Sequence, residues 1–284
     1  MKLNEVLQRT TQFFKEKKFD SPRLDAELIL SHGLKLDRVQ LYLKFDQPLA
    51  EDELEMLRGL VKRRVSGEPV AYILGYKDFY GNRFIVNEHT LIPRPETEEL
   101  VEYVERWAQK NNIQDPQVID LGAGTGCVGL SILNALSGNS KLWSLDISEG
   151  AIATAKKNAE QMGLTERSEF VIGNATDLIT SAPQADIIVA NPPYIDIEDP
   201  EVQKEVKQFE PHSALFAPSQ GLGFLQDWSK VYSQKLNKPG LMIMEMGYQQ
   251  GPIMKDYYQR LGIFKEVSVI KDLSGHDRFI TGEL

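Results

Sequence analysis

The sequence predicts an α/β chain: a small all-helical N-terminal part, a β-hairpin, and a mostly parallel sheet with helices on both faces. Two contrasting patterns carry that expectation. Up to about position 75 apolar residues recur at helical spacing without strand-like alternation, whereas from about Gln117 short apolar strands alternate with helical stretches. Two of those strands run into chemically distinctive loops, Asp120-Leu121-Gly122-Ala123-Gly124-Thr125-Gly126 and Asn191-Pro192-Pro193-Tyr194. The expected division is 1–75 for the helical domain, 76–95 for the hairpin linker and 96–284 for the sheet domain.

Leu3, Val6, Leu7, Phe13 and Phe14 mark a first helix. Ser21-Pro22 reads as N-cap and first residue of a second, which runs through Ala26 and Ile29 to Gly33. A third covers 51–65, with Leu54, Leu57, Leu60 and Val61 on one face, and stops at Gly67 and Pro69. Phe79-Tyr80 and Phe84-Ile85-Val86 flank Gly81-Asn82 as a hairpin. Leu91-Ile92-Pro93-Arg94-Pro95 must be extended, because a residue before proline is driven out of the helical region. Helix resumes over 96–107. Strands are then expected at 118–121, 141–146, 169–172, 186–190, 240–246, 264–270 and 278–282, and helices near 130–136, 149–162, 222–236 and 252–261.

Composition narrows the function classes. The 284 residues suit about two domains. No apolar run approaches the roughly 20 residues of a membrane span, and Met1-Lys2-Leu3-Asn4-Glu5 lacks the apolar core of a signal peptide, so a cytoplasmic protein is expected. Cys127 is the sole cysteine, and His32, His89, His212 and His276 are scattered, which opposes a metal site. A net charge of −9 opposes broad phosphate-backbone binding but leaves room for a local basic groove, and Lys62-Arg63-Arg64 is such a cluster.

The glycines after the first sheet strand let the backbone turn tightly and approach a ligand. Asp146 ends the next strand about 20 residues later, where a carboxylate can accept hydrogen bonds from ribose hydroxyls; the alternative is an N-cap of the following helix. The spacing G-x-G-x-G differs from the G-x-G-x-x-G of pyrophosphate-binding folds. Asn174, after the third strand, either reads an adenine edge or closes an Asx turn. The Asn191 loop carries the chemistry. An amide or ring amine is a poor nucleophile because its lone pair is delocalised. Two acceptors on its N–H protons would orient the nitrogen and favour charge building up on it. The Asn191 side-chain carbonyl and the Pro192 backbone carbonyl are the candidates. Pro192 and Pro193 stiffen the loop, and Tyr194 offers a flat face to a planar substrate. Cys127 reads as a packing residue and Glu245 as a wall of the crevice.

These residues resemble the class I methyltransferases, and among them the peptide chain release factor glutamine-N5 methyltransferases (the PrmC/HemK family). The resemblance covers nearly the whole chain. It includes Gly67-Glu68-Pro69-Val70-Ala71-Tyr72-Ile73-Leu74-Gly75, Leu91-Ile92-Pro93-Arg94-Pro95-Glu96-Thr97-Glu98, Asn191-Pro192-Pro193-Tyr194-Ile195, Glu210-Pro211 with Ala214-Leu215, Glu245-Met246-Gly247 with Gln249, and Asp272-Leu273-Ser274-Gly275-His276-Asp277-Arg278. N-P-P-Y alone is shared with DNA adenine-N6 and other amino-methyltransferases, whereas the combination is far more specific. The resemblance implies a Rossmann-like, mostly parallel seven-stranded sheet and methyl transfer from S-adenosyl-L-methionine, leaving S-adenosyl-L-homocysteine. The acceptor it implies is the glutamine of the Gly-Gly-Gln loop of class 1, bacterial-type release factors, contacted by the helical domain. It places the substrate amide on Asn191 and Pro192, and the cofactor on Gly122, Ala123, Gly124, Thr125, Gly126, Asp146, Asn174, Ala175 and Asn191. Where some relatives carry Asp-Trp or a similar pair, this chain has Asn174-Ala175, so Ala175 offers backbone or methyl contact only.

Two other readings stand beside this one: a ribosomal-protein or nucleic-acid methyltransferase using the same loop, and a non-catalytic cofactor-binding interaction protein. Net acidity and the lack of a separate basic domain oppose a nucleic-acid target. The intact glycine turn, Asp146 and Asn191 loop oppose the idle reading.

Overall fold

The structure, a computed structural model, describes residues 1–136, 138–199 and 204–284. It divides into two units: Met1–Tyr76 together with the helix Lys204–Phe209, and the remaining described residues.

The first unit contains α1 (Leu3–Glu16), α2 (Pro22–Leu34), α3 (Arg38–Leu43), α4 (Glu51–Val65) and α5 (Val70–Leu74). Leu3, Leu7 and Phe14 form one buried stripe of α1 and meet Ile29 and Leu30 of α2 and Leu54 and Leu57 of α4. The second helix ends one residue beyond Gly33, with Lys35 taking up the left-handed conformation. Two short helices, α3 and α5, go beyond the three expected. The first is opened by a capping box, Asp37 accepting from the Gln40 N–H and Gln40 from that of Asp37. The basic cluster is engaged in ion pairs. Arg63 bonds Glu68, and Arg64 turns inward to Asp25 at 2.9 Å and Glu205 at 3.0 Å, its guanidinium 3.9 Å from the Phe19 ring centroid.

The second unit opens in the hairpin β1 (Tyr76–Phe79, whose first residue closes the first unit) and β2 (Asn82–Ile85). Its turn residues are Tyr80 (φ 47°) and Gly81 (φ 72°), not Gly81-Asn82 as expected. Two successive positive φ values make the turn whose twist suits a two-residue hairpin, which leaves Asn82 as the first residue of β2. A single 3-10 turn, Pro95–Thr97, precedes α6 (Glu98–Lys110). Then follow β3 (Gln117–Leu121), α7 (Cys127–Ala135), β4 (Lys141–Asp146), α8 (Glu149–Gln161), β5 (Ser168–Ile172), β6 (Ala185–Ala190) and β7 (Ile195–Asp196). After α9 (Lys204–Phe209, grouped with the first unit) come α10 (His212–Leu215), β8 (Phe216–Ala217), α11 (Gly223–Tyr232), β9 (Leu236–Glu245), α12 (Gly251–Leu261), β10 (Glu266–Lys271) and β11 (Asp277–Glu283). The helix expected over 222–236 is shorter, because Leu236 pairs with Ala185 and so opens β9.

The main sheet has seven strands in the order β10-β11-β9-β6-β3-β4-β5. In this sheet β11 runs opposite to the other six strands, so β10–β11 and β11–β9 pair antiparallel and the remaining pairs are parallel. Side chains alternate faces with a period of two. Val118, Ile187, Val189, Leu241 and Ile243 pack under α6, α7 and α8, whereas Ile119, Ile188, Ala190, Met242 and Met244 pack under α11 and α12. A strand buried on both faces reads as an unbroken apolar run, and Ile187-Ile188-Val189-Ala190 is one. The strand order reverses between β3 and β6, the place where open α/β sheets leave a crevice beyond the carboxyl ends of their strands. Among the described residues no helix is long and apolar enough to cross a membrane.

Candidate active site

Sheet register builds the site. Leu121 pairs with Leu145 on one side and Ala190 on the other, and Ala190 pairs with Met244. The next residue of each strand, namely Gly122, Asp146, Asn191 and Glu245, therefore stands in one row along the carboxyl edge. Gly122 N–H and Ala123 N–H both donate to Leu145 O, at 2.9 and 2.8 Å, which folds the glycine turn over the end of β4. Asp146 braces that turn: Oδ2 accepts from Gly124 N–H and Oδ1 from Ser148 N–H, both at 2.9 Å. The N-cap of α8 is Ser148, whose Oγ accepts from Ala151 N–H, so Asp146 is not the cap. Gly124 sits at φ 54° with open space where a Cβ would be. At Gly126 a Cβ would lie 2.9 Å from Leu130 and 3.3 Å from Ala155, so this glycine lets α7 pack closely.

A cavity of about 240 Å³ opens beside the row. Gly122, Ala123, Gly124, Thr125, Asp146, Asn174, Ala175, Asn191 and Pro193 line it; Gly126, Pro192 and Tyr194 do not. Asn174 Oδ1 accepts from the N–H and hydroxyl of Thr176, at 2.9 and 2.8 Å, closing an Asx turn. The Ala175 carbonyl accepts from Tyr232 OH at 2.8 Å, leaving its methyl for the wall. Sequence reasoning did not assign Thr97, Asp120, Ile147, Phe224 and Trp228 to this wall. Asp120 had a signal, as the acidic residue opening the glycine segment. Trp228 had none, since a helical tryptophan reads as core. Among the described residues the lining includes two carboxylates and no lysine or arginine.

The Asn191 loop is held from behind. Asn191 Nδ2 donates to Thr97 Oγ1 at 3.3 Å, Thr97 Oγ1 donates to Glu245 Oε2 at 2.6 Å, and Tyr194 OH donates to Glu245 Oε1 at 2.9 Å. Gln250 Nε2 donates to Tyr194 O at 3.0 Å while its Oε1 accepts from Gly247 N–H at 2.9 Å. A Cβ on Gly221 would fall 2.1 Å from Tyr194 O, so only glycine lets that strap lie against the loop. The extended Ile92-Pro93-Arg94 segment is anchored by buried Glu210, which accepts from Ile92 N–H at 3.0 Å and Arg94 Nη2 at 2.6 Å.

Burial sets the electrostatics. Desolvation raises Glu245, opposed by the hydroxyls of Thr97 and Tyr194 and by the charge of Arg278. Arg278 is itself held by Asp272 at 3.0 Å. The Cys127 thiol is pushed up to about 12, chiefly by burial, so it stays protonated and packs rather than attacks. Asp120 is pushed up to about 7 by burial, against the N–H of Gly129 and the hydroxyl of Ser144, which lower it. A carboxyl raised on folding binds its proton more tightly in the native state. Its contribution to stability is thus present below about 4 and lost as pH rises through about 7. Asp120→Asn, free of this titration, should gain stability relative to the parent between pH 4 and 8, by on the order of a few kcal/mol. Denaturant unfolding of both proteins at several pH values measures it; a pH-independent difference would remove Asp120 from the titrating set.

Comparison with known proteins adds to this geometry. The family model described as the PrmC N-terminal domain matches residues 5–75, and that of the methyltransferase small domain matches residues 97–209. The release factor glutamine methyltransferase of Chlorobaculum tepidum is 38% identical over 284 residues, covering 96% of this chain and 94% of that protein. That of Rhodopirellula baltica is 36% identical over 281 residues, covering 97% and 94%. Among solved structures, the catalytic domain of hMettl16, crystallised with the MAT2A 3′UTR hairpin 6, superposes with a TM-score of 0.54 at 15% identity, covering 81% of this chain and 80% of that one. At that identity the likeness is one of fold.

Proposed function

The chain belongs to the release factor glutamine methyltransferase family, and on that premise we propose that it methylates the side-chain amide of the Gly-Gly-Gln glutamine in class 1, bacterial-type release factors. S-adenosyl-L-methionine, when bound, supplies the methyl as an electrophile on a positively charged sulfur. The observation that supports this most is that the glycine turn, Asp146 and Asn191 line one cavity.

The residues present suit that cofactor. Each oxygen of Asp146 accepts one backbone N–H, leaving a further lone pair on each for a ribose diol. Ile147, 64% exposed although apolar, and the buried Ala175 offer flat apolar contact for a purine. A wall carrying Asp146, without lysine or arginine among its described residues, favours a cationic ligand over a pyrophosphate. In this reading the Asn191 and Pro192 carbonyls hold the two N–H protons of the glutamine amide, fixing its nitrogen for in-line attack. As the nitrogen acquires positive charge the same two dipoles stabilise it. Pro193 keeps the loop stiff, and Tyr194, tethered to Glu245, holds its trailing end.

The decisive experiment is peptide mass spectrometry of a release factor incubated with enzyme and cofactor. One added methyl on the glutamine of Gly-Gly-Gln is expected. A methyl on any other residue, on a ribosomal protein instead, or on nucleic acid alone would redirect the substrate assignment.

A further inference from the structure

Three sequence motifs find no role in the chemistry just described: the Ile92-Pro93-Arg94-Pro95-Glu96-Thr97 segment, Glu245-Met246-Gly247, and the C-terminal Asp272-to-Arg278 stretch. They converge behind Asn191. Thr97 and Glu245 are each 1% exposed, and Thr97 reaches Asn191 across 94 residues of sequence and Glu245 across 148.

With Glu245 ionised, the donor inventory of this cluster admits one arrangement. An ionised carboxylate only accepts, so the single hydroxyl proton of Thr97 goes to Glu245 Oε2, and that of Tyr194 goes to Oε1. With its proton committed, Thr97 Oγ1 can only accept from Asn191. The Asn191 amide must therefore turn its NH2 inward, at 3.3 Å, and its carbonyl oxygen the other way. An isolated asparagine could present either end, and the two differ by a simple flip. We infer that Thr97 and Glu245 are positioning residues that hold Asn191 in the one flip state able to accept an N–H from the substrate amide. This inference rests on the role given to Asn191 above. The chain of hydrogen bonds also polarises Asn191, drawing its amide protons toward the buried carboxylate and enriching its oxygen as an acceptor. Arg278, fixed by Asp272, opposes the burial that raises Glu245 and so favours its ionised form.

Substitutions at the two residues differ in consequence. Thr97→Val keeps the shape and removes the hydroxyl, so Asn191 loses its inward acceptor. Thr97→Ser keeps the hydroxyl. Glu245→Gln keeps the shape but offers one acceptor and one donor to two hydroxyls. Where its NH2 faces Thr97, that hydroxyl is free to donate to Asn191 and reverse its flip.

Two measurements on the full chain test this. First, kinetics with a release factor protein: Thr97→Val and Glu245→Gln should lower kcat by on the order of tenfold to a hundredfold, the worth of a hydrogen bond to a charged group. KM and the calorimetric cofactor Kd should change by less than about threefold, and Thr97→Ser should recover most of the turnover. A Thr97→Val enzyme with parental kcat, or a Thr97→Ser enzyme as slow as it, would overturn the inference. Second, the side-chain amide signals of Asn191 in a nitrogen–proton NMR spectrum, recorded without cofactor or substrate. They should move in Thr97→Val and Glu245→Gln and stay in place in Thr97→Ser; signals unmoved in all three would overturn it. The two readings fail separately. A wild-type enzyme that leaves the release factor glutamine unmethylated defeats the substrate assignment, whereas the amide signals judge the positioning of Asn191 whatever the substrate.

Discussion

Alanine at position 191 is expected to lower kcat by on the order of a hundredfold to a thousandfold, the range for losing one preorganised dipole at a reacting centre. The cofactor Kd should stay within about threefold, because Asp146 and the glycine turn, which brace one another, do not depend on Asn191. The size of the effect follows from the nucleophile. An amide nitrogen attacks only if its delocalised lone pair is directed at the methyl, and a mispositioned nitrogen forfeits both orientation and charge stabilisation. Asn191 stands at the end of a strand buried on both faces, so its backbone is fixed and the loss is confined to the side chain. Asn191→Asp separates geometry from chemistry. It supplies an acceptor outward, but inward it places a carboxylate against the Thr97 oxygen, whose proton already belongs to Glu245. Two acceptors then face one another, and this variant should be about as slow as alanine. Steady-state kinetics beside calorimetry reads both; an Asn191→Ala enzyme with parental kcat would remove the residue from the reaction.

The sheet is legible in the sequence because its central strands are buried on both faces. Ile187-Ile188-Val189 can be little else, and the residues that stop the strands (Gly122, Asp146, Asn191) are those that cannot continue an apolar run. The row they form depends only on register, which the strands share at their carboxyl ends. What escapes the sequence is contact between distant segments. Thr97 follows two prolines and reads as a turn residue, and nothing local says that its hydroxyl meets a glutamate 148 residues further along the chain. The same limit explains the glutamines: the resemblance picks out Gln249, but it is Gln250 whose amide clasps the Tyr194 carbonyl, while Gln249 donates to its neighbour Tyr248. Short helices escape for another reason. The six residues of α3 and five of α5 are too few to display a period, although Asp37-x-x-Gln40 is a capping signal open to reading. The hairpin turn slips by one residue because Gly81-Asn82 and Tyr80-Gly81 are both plausible pairs. The positive φ values fall on Tyr80 and Gly81, which places the turn there.

Alanine at position 146 is expected to weaken cofactor binding by on the order of a hundredfold, as two charge-assisted hydrogen bonds would. Two mechanisms could produce that loss. One is direct, Asp146 holding the ribose as in the proposed reading; the other acts only through the turn it braces, since its oxygens already hold Gly124 N–H and Ser148 N–H. Asp146→Asn does not separate them, because its NH2 would face one of those two backbone donors and disturb the turn as well. A double-mutant cycle between protein and ligand does. Removing one ribose hydroxyl from the cofactor should cost the parent on the order of tenfold in affinity, and should cost Asp146→Ala almost nothing once its partner has gone. The coupling between the two changes is then the worth of the contact itself, free of any shift in the glycine turn, which weakens both cofactors alike. Calorimetry with the two cofactors and the two proteins gives the four constants. An equal penalty in both proteins would assign Asp146 to the turn alone and leave the ribose to other groups on the cavity wall.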